Sequence, residues 1–282
     1  GTVNRLRPLG SVGQIQGVLC SLNNPAQIES AVQGAELVVN LVGILFERGK
    51  QSFQSLQAEA PKRIAEAAAE AGVQQLVHIS ALGVDQDTGA QYAKTKLAGE
   101  QALLQAFPAA TILRPSLVIG PEDGFFNRFG SMAQISPFLP LVAGGTSKFQ
   151  PLVVTDLADA VMAALDKPEA QGQIFELGGP KVYSFKDMLQ LLLDQTGLKR
   201  LLLPLPMAIA RVQATFLQFL PEPPLTPDQL KLLGADNILS GDKPGFEELG
   251  IAPSAIETIL PLYLGVYSKK PRRGLAGSSD RS

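Results

Sequence analysis

The sequence predicts an α/β protein built on a doubly wound parallel sheet, with a smaller C-terminal lobe. Strand-like and helix-like segments alternate strictly from Ile15 to Pro115, which is typical of right-handed strand–helix–strand crossovers. The apolar run Leu37–Gly43 is bounded by glycines, as expected of a strand buried on both faces of a parallel sheet. With 282 residues, 45% of them hydrophobic, the chain can bury the core of one large domain or of a domain with an appended lobe.

Each element of the first half has a local signal. The predicted strands are Ile15–Leu22, Leu37–Gly43, Leu76–Ser80 and a fourth that begins at Thr111. The predicted helices follow Asn24, cover about Phe53–Ala71 and cover about Ala90–Ala106. Asn24 and Gln27 are expected to form a capping box for the first helix, and Pro61 is expected to interrupt the second.

The pattern loosens after Gly120 into loops that contain glycine and proline. Within this part the sequence predicts a helix near Asp156–Leu165, a strand at Gln173–Leu177 and a helix at Phe185–Thr196. We therefore expect a sheet domain over residues 1–124 and a C-terminal lobe, interleaved with the sheet, over residues 125–268. The basic, Gly/Ser-rich tail 269–282 is expected to be disordered.

Composition excludes several classes of function. The 24 basic and 26 acidic side chains leave a formal charge of -2, so nothing global draws the chain to nucleic acid. One cysteine, Cys20, and one histidine, His78, cannot supply a disulfide or a Cys/His metal cluster. We expect Cys20 to be buried in the first strand and His78 to lie in the core or to be hydrogen-bonded. The apolar stretch Leu201–Leu220 carries prolines and Arg211, so it is not a bilayer span.

Chemistry is expected where the strands end, because ligands of doubly wound sheets bind outside the carboxyl ends of the strands. The segments at these positions are Leu41-Val42-Gly43, Ser80 to Gly83, the helix start near Tyr92, and Pro115-Ser116-Leu117-Val118.

Tyr92 and Lys96 are four residues apart on a predicted helix, so the phenol and the ammonium share one face. An ammonium beside a phenol favours the phenolate and would lower the pKa of Tyr92 toward the range of a general acid or base. The alternative is a solvated lysine beside a half-buried tyrosine. The strand ends at Gly43 and Ser80 favour a shared site.

Tyr92/Lys96, Asn40–Gly43, Arg114-Pro115 and Val154-Thr155-Asp156 together resemble the extended or atypical short-chain dehydrogenase/reductases, which are similar to NAD-dependent epimerases and dehydratases. The resemblance implies a Rossmann-type fold with NADP or NAD as cofactor. It implies that Tyr92 is the acid/base and that Lys96 steadies it and holds the nicotinamide ribose. The remaining cofactor contacts that it implies are Leu41, Val42 and Gly43 along the cofactor, and Pro115, Ser116 and Val118 beside the nicotinamide.

The role of Ser80 has two possible interpretations. The family's catalytic serine or threonine usually lies a residue or two past the point that matches Ser80, where this chain has Ala81 and Leu82. Ser80 is therefore either a displaced catalytic and cofactor-binding hydroxyl or only the hydroxyl of a strand end. Without such a hydroxyl, a substrate carbonyl would be less well oriented.

A narrower resemblance comes mainly from C-terminal motifs and from two earlier segments: Leu203-Pro204-Leu205-Pro206, Pro224–Leu230, Asp236-Asn237, Phe246–Ile251, Arg7–Gln14 and Asn40–Leu45. Over about Arg5–Tyr267 the chain resembles the epimerase-related accessory subunit of respiratory complex I and its bacterial homologues. The resemblance implies firm binding of a reduced nicotinamide dinucleotide phosphate, little or no turnover, and complex I subunits as partners. It implies a cytoplasmic location, peripheral on the inner membrane, or the matrix side in a mitochondrion. The alternative is an active NAD(P)-dependent epimerase or reductase acting on a nucleotide sugar or similar alcohol or ketone.

The sequence departs from this family at its front. The family has a strand, a Gly-x-x-Gly-x-x-Gly turn, a helix that receives the pyrophosphate, and a second strand. Gly10 and Gly13 neither follow a strand nor open a helix, so we interpret them as loop glycines. We hypothesise that the sequence is a fragment that lacks this strand–helix–strand unit and binds its cofactor weakly or not at all.

The segment Met207–Leu220 is apolar over most of its surface, with Arg211 and Gln218 on one face. It either packs on its own lobe or docks on a partner subunit or a membrane surface, which would be a peripheral contact. The cations of the tail, within residues 269–273, either favour anionic lipid or are simply solvated.

Overall fold

A computed structural model of the chain describes residues 11, 14–220, 223 and 225–268, and every structural statement below concerns these residues. The glycines Gly10 and Gly13, most of the Arg7–Gln14 motif, Pro224 and the basic tail lie outside the described residues. The strands are β1 (Leu37–Asn40), β2 (Gln75–Ile79), β3 (Thr111–Pro115), β4 (Val118–Ile119), β5 (Phe138–Val142), β6 (Lys148–Phe149), β7 (Leu152–Val153), β8 (Ile174–Leu177), β9 (Tyr183–Ser184) and β10 (Leu201–Leu205).

The chain also forms nine described α-helices. They are α1 (Pro25–Val32), α2 (Ala60–Glu70), α3 (Gln91–Ala106), α4 (Phe126–Ile135), α5 (Val154–Asp166), α6 (Phe185–Thr196), α7 (Met207–Leu217), α8 (Pro227–Leu233) and α9 (Leu260–Tyr263). A π-helical turn, Gln54–Glu59, leads into α2, and short 3-10 turns lie at Ala143–Gly145, Pro168–Ala170, Ile256–Thr258 and Leu264–Tyr267.

The main sheet confirms the predicted fold class. Its four strands lie in the order β1-β2-β3-β8, and every neighbouring pair is parallel. Ile28 of α1, Ile64 of α2 and Leu103 of α3 pack on one face of this sheet. Ala160 of α5 and Phe246 pack on the other face. Helices therefore cover both faces, as a doubly wound sheet requires.

The first predicted strand is wrong. Residues 15–22 form no strand, and Val18 and Leu19 are exposed by 67% and 98%. Cys20, which we expected to be buried, is a free exposed thiol. A strand needs a neighbour for its backbone hydrogen bonds, and no described segment pairs with the outer edge of β1.

The second predicted strand forms, but it is shorter and less buried than expected. It ends at Asn40 rather than Gly43, and Leu37 and Val39 remain partly exposed. The reason is position, because β1 is an edge strand of the described sheet and lacks a neighbour on one side.

Two local expectations about the first helices need correction. The Asn24 side chain makes no capping hydrogen bond, and the backbone N–H of Gln27 donates instead to the carbonyl oxygen of Asn24 at 3.2 Å. The Oε1 of Gln27 accepts from the N–H of Ser21 at 2.8 Å rather than from Asn24. Pro61 does not break the second helix. It lies in the first turn of α2, directly after the π-helical turn, where the missing N–H of a proline is tolerated.

The C-terminal part contributes to the main sheet and also builds a second layer. Helix α5 and strand β8 return to the sheet, as their predicted positions near Asp156–Leu165 and Gln173–Leu177 allow. Helix α6 has the predicted limits, Phe185–Thr196, and carries a capping box. In the second layer β5 and β10 form a separate parallel pair, and Phe185 packs among the aromatic rings of α4. The limits 124/125 and 268/269 remain a prediction.

Helix α3 is fixed tightly at the centre of the fold. A Cβ on Gly99 would lie only 1.9 Å from the carbonyl oxygen of Gln57, so the backbones of α3 and the π-helical turn touch at this point. On the sheet side, Arg114 of β3 donates from Nε and Nη2 to the buried Glu100 carboxylate at 3.0 and 2.7 Å. A paired buried charge of this kind is costly to disrupt, so it holds α3 against β3.

Candidate functional site

Lys96 joins the ends of the first two strands. Its Nζ donates a 3.0 Å hydrogen bond to the carbonyl oxygen of Ile79, the last residue of β2. A Cβ on Gly43 would lie 3.3 Å from the same Nζ, so the ammonium rests against the backbone after β1. Burial lowers the pKa of Lys96 to about 8, although the nearby Glu100 carboxylate opposes that shift. The structure thus brings together Gly43, Lys96 and, beside Ile79, Ser80.

Tyr92 lies one turn before Lys96 in α3. Its ring meets Phe53 edge to face, with centroids 6.0 Å apart. Burial raises the pKa of the phenol to about 12. The expected lowering of this pKa is therefore wrong, because the cost of burying a phenolate outweighs any help from the ammonium. Within the described residues the Tyr92 hydroxyl makes no hydrogen bond, and the ammonium of Lys96 is turned to Ile79.

Ser80 is buried with an unused hydroxyl. Its backbone N–H donates to the carbonyl oxygen of Leu113 at 2.8 Å, which keeps it in line with β3. Its Oγ has no hydrogen-bond partner among the described residues, although only 5% of the residue is exposed. A buried hydroxyl without a partner is uncommon, and a bound polar group would satisfy it.

Asn40 shapes the chain as it leaves β1. Its Oδ1 accepts a 3.1 Å hydrogen bond from the N–H of Val42, and its Nδ2 lies 3.0 Å from Nδ1 of His78. His78 is 1% exposed, which confirms the expected buried, hydrogen-bonded role. Burial and, second, the charge of Lys96 lower the pKa of His78 to about 3, so the ring is neutral.

The segment after β1 is open on its outer side but is held from within. Leu41 is 68% exposed and Val42 36%. Beyond Gly43, the carbonyl oxygen of Ile44 accepts a 2.6 Å hydrogen bond from Nε2 of Gln57. The Oε1 of Gln57 accepts from Thr95 of α3 at 3.0 Å. Gln57 therefore links this segment to the helix that carries Tyr92 and Lys96.

Pro115 and Ser116 lie at the end of β3, next to the extension of β2. The carbonyl oxygen of Pro115 accepts from the N–H of Leu82 at 2.9 Å. Ser116 donates from Oγ to Oδ1 of Asn237 at 2.6 Å, and Nδ2 of Asn237 donates to the carbonyl oxygen of Leu82 at 2.9 Å. The Ser116 hydroxyl is thus engaged with the C-terminal part of the chain.

Val118 lies apart from this group. It opens β4, which pairs with β7 outside the main sheet, and it packs against the apolar cluster that contains Leu152 and Ala160. No described contact brings Val118 to Lys96 or Tyr92.

Helix α8 closes one side of the site. Asp228 accepts hydrogen bonds from the backbone N–H groups of Gln91 and Tyr92 at 2.7 and 2.9 Å. Gln229 donates from Nε2 to the carbonyl oxygen of Leu45 at 3.2 Å. Lys231 donates from Nζ to the carbonyl oxygen of Gly89 at 2.9 Å, so α8 touches both the segment after β1 and the start of α3.

These residues fit the nicotinamide end of a dinucleotide. Lys96 offers a cationic donor, Ser80 offers an unused buried hydroxyl, and Gly43 lacks the Cβ that would crowd the ammonium of Lys96. No described strand is followed by Gly-x-x-Gly-x-x-Gly, so the described residues do not provide a pyrophosphate turn of that kind.

The described ranges contain neither a cluster of metal-ligating side chains nor a helix that could span a bilayer. Three or more His, Cys, Asp or Glu side chains nowhere come together there as a metal site. None of the helices in that part of the chain is both long and apolar enough to cross a bilayer.

Asp228, Gln57 and Asn237 were not predicted as site residues. Asp228 and Asn237 stand in motifs that the sequence made conspicuous, and the capping box of Thr226 and Gln229 marks where α8 begins. Nothing in the sequence pairs either residue with α3 or β3, because each contact spans more than a hundred residues.

Comparison with known proteins gives consistent relatives. Residues 3–124 match a family described as NAD(P)H-binding. The chain is 30% identical over 275 residues to NADH dehydrogenase (ubiquinone) 1 alpha subcomplex subunit 9, mitochondrial, of Arabidopsis thaliana, covering 94% of this chain and 68% of that protein. It is 28% identical over 278 residues to the NADH-ubiquinone oxidoreductase 40 kDa subunit, mitochondrial, of Neurospora crassa, covering 98% and 73%. Among solved structures, triphenylmethane reductase of Citrobacter sp. complexed with NADP(H) superposes with a TM-score of 0.70 at 19% identity, covering 91% of this chain and 86% of that one.

Proposed function

Because this chain belongs to the family of NADH dehydrogenase (ubiquinone) 1 alpha subcomplex subunit 9, we propose that it serves a respiratory NADH:ubiquinone oxidoreductase as a dinucleotide-binding accessory subunit with little or no turnover. Membership confirms the resemblance inferred from the C-terminal motifs, and the match of residues 3–124 confirms a nicotinamide dinucleotide as the expected cofactor. The observation that carries the proposal is the position of Lys96, whose ammonium is fixed between Ile79 and Gly43 rather than on the phenol of Tyr92.

The site is better suited to holding a ligand than to moving a proton. With a pKa of about 12, the phenol of Tyr92 remains protonated at neutral pH and does not act as a base. Lys96, with a pKa of about 8, is still mostly charged there and can donate to the hydroxyls of a ribose. Ser80 would donate to the same ligand from its unpartnered Oγ.

The remaining predicted contacts would form the walls of the ligand site. Leu41, Val42 and Gly43 would lie along NADP or NAD, and the exposed side chains of Leu41 and Val42 are free to cover it. Pro115 and Ser116 would flank the nicotinamide, although the hydroxyl of Ser116 already bonds to Asn237. Val118, which the sequence also predicted beside the nicotinamide, lies apart in β4. When bound, the nicotinamide would supply hydride-transfer chemistry.

The proposed partners and location follow from the relatives. Their names place them in a mitochondrial NADH:ubiquinone oxidoreductase, so we expect this chain to associate with complex I subunits. Its location would be the cytoplasmic face of the inner membrane in a bacterium, or the matrix face in a mitochondrion.

Copurification tests the accessory role. A tagged full-length protein expressed at its natural level, isolated from membranes under mild detergent, should bring down complex I subunits above the level seen with an untagged strain. Recovery of the tagged protein with no complex I subunit above background would overturn the proposal.

The second candidate function is an active reductase or epimerase on a nucleotide sugar or similar alcohol. The observation that favours it is that Tyr92 and Lys96 stand one turn apart on α3, with a protonated phenol able to donate to a carbonyl oxygen. Tyr92→Phe removes that proton and should abolish turnover of any such substrate while cofactor binding persists. Turnover that is unchanged in Tyr92→Phe would exclude this role for Tyr92.

A further inference from the structure

One segment of the C-terminal lobe combines exposed apolar side chains with positive charge. From Lys199 to Leu220 the chain holds three cations, Lys199, Arg200 and Arg211, and no aspartate or glutamate. The whole chain, in contrast, has a formal charge of -2. The positive charge of this segment is therefore local.

Helix α7, at the centre of this segment, buries only a narrow face. Ala210 and Ala214 are fully buried and pack against Val142 and Leu230. The flank away from them carries large apolar side chains three or four residues apart, which lie in one stripe of a helix. These side chains and their exposed fractions are Ile209 51%, Val212 59% and Phe216 73%, followed just past the helix by Phe219 80% and Leu220 48%.

Strand β10 continues the apolar exposure. Leu201 and Leu203 point to the same face of the β5–β10 pair and are 68% and 45% exposed. Phe138, which lies opposite Leu201 in the register, is 48% exposed. Exposed apolar side chains thus occur in both elements of the segment, and clusters of exposed apolar side chains mark interaction sites.

We propose that the segment Lys199–Leu220 binds the surface of an anionic phospholipid bilayer. An interfacial helix carries phenylalanine and aliphatic side chains on one flank and cations on its polar side. Phe216 and Phe219 would enter the boundary between headgroups and acyl chains, while Arg211 would remain at the level of the phosphates. The proposal rests on this surface alone and does not depend on the proposed dinucleotide site.

Charge favours an anionic lipid surface over a second copy of the chain. The segment Lys199–Leu220 carries cations and no carboxylate, so it repels the same segment of another copy but complements a surface of phosphates. The eleven residues of α7 are too few to cross a bilayer, so the contact would lie along the membrane surface.

A single tryptophan reports the contact directly, because the natural chain contains none. Full-length Phe216→Trp protein is mixed with vesicles of phosphatidylcholine, alone or with phosphatidylglycerol. The emission should shift to the blue, and brominated acyl chains should quench it, only with the anionic vesicles. Leu262→Trp, at a site of 80% exposure on α9, serves as the matched reporter and should show neither change. Raising the salt concentration should weaken the response.

A second experiment removes the apolar stripe of α7 by substitution. In the doubly substituted Phe216→Ser/Phe219→Ser protein, the fraction that floats with anionic vesicles should fall by about tenfold or more, because two phenylalanines no longer enter the bilayer. Leu262→Ser/Val266→Ser replaces two equally exposed apolar side chains elsewhere and should float normally.

Three results would overturn the proposal. The first is that the natural protein fails to float with anionic vesicles. The second is flotation that survives Phe216→Ser/Phe219→Ser, which would place the contact in the basic tail. The third is a dimer, measured without vesicles, that dissociates on the same double substitution, which would assign the face to a second copy.

Discussion

In α3, the backbone N–H of Tyr92 donates a 2.9 Å hydrogen bond to Oδ2 of Asp228, a residue that lies 136 positions later in the chain. The other oxygen of the same carboxylate accepts from Gln91. The first N–H groups of a helix have no partner inside the helix, and a negative charge at that end is favoured by the helix dipole. Asp228 thus completes a helix that Ala90, the residue before its first turn, does not cap.

Replacing Asp228 by asparagine should weaken the fold. The amide keeps one acceptor but loses the second acceptor and the charge, so we expect the free energy of unfolding to fall by about 1 kcal/mol. Urea denaturation measures this loss. Asp242→Asn, at an exposed turn, is the matched control and should leave the midpoint where it was. If the two variants unfold at the same urea concentration, Asp228 does not contribute to stability by capping α3.

Lys96→Met should reduce the affinity of the protein for NADPH or NADH by about tenfold or more, because a charged hydrogen bond to the ribose is lost. Methionine keeps the length of the buried stem. Lys94→Met changes an exposed lysine of the same helix and should bind as the natural protein does. Fluorescence titration of the reduced dinucleotide gives both affinities. An unchanged affinity in Lys96→Met, with an unchanged melting temperature, would exclude Lys96 from the cofactor site.

His78, the single histidine, offers a clean test of proton linkage. Its pKa in the folded protein is about 3, below its ordinary value, so between pH 6.5 and 3 the unfolded chain binds one more proton than the folded chain. The contribution of His78 to stability is therefore complete above pH 6.5 and is lost as the pH falls, at no more than about 1.4 kcal/mol per pH unit. In NMR spectra its imidazole should not titrate between pH 8 and 5. A midpoint near 6.5 in the folded protein would contradict the burial.

Gly99→Ala should destabilise the protein by about 1–3 kcal/mol, despite the better helix propensity of alanine. The new methyl group would lie 1.9 Å from the carbonyl oxygen of Gln57, so α3 and the π-helical turn would have to separate. Gly124→Ala, where nothing stands within 4 Å, should have little effect. Comparison of the two denaturation curves separates steric overlap from the general effect of adding a methyl group.

The sequence predicted those helices and strands whose limits depend on residues close together in the chain. The start of α6 follows from the serine and aspartate of its capping box and its end from the left-handed Gly197, and β2 and β3 follow from their β-branched apolar residues. The failure at residues 15–22 has a different cause, because an apolar run becomes a strand only when a neighbour accepts its hydrogen bonds.

The sequence placed Tyr92 and Lys96 together on one helix, but it did not predict the energetics of the candidate site. The spacing of Tyr92 and Lys96 placed both on α3, but the sequence could not show that burial raises the pKa of the phenol. Desolvation depends on what covers a side chain, and Phe53, which packs against Tyr92, comes from another element. Asp228 and Asn237 were missed for the same reason, since both act across long separations in the chain.

The hydrogen bonds between α8 and the start of α3 also affect the order in which the site forms during synthesis. A ribosome that adds roughly 5–20 residues per second makes Asp228 on the order of ten seconds after Tyr92. Over that interval the first turn of α3 has neither its acceptor carboxylate nor the lysine that binds Gly89. The candidate site around Lys96 would therefore be completed only after α8 has been made.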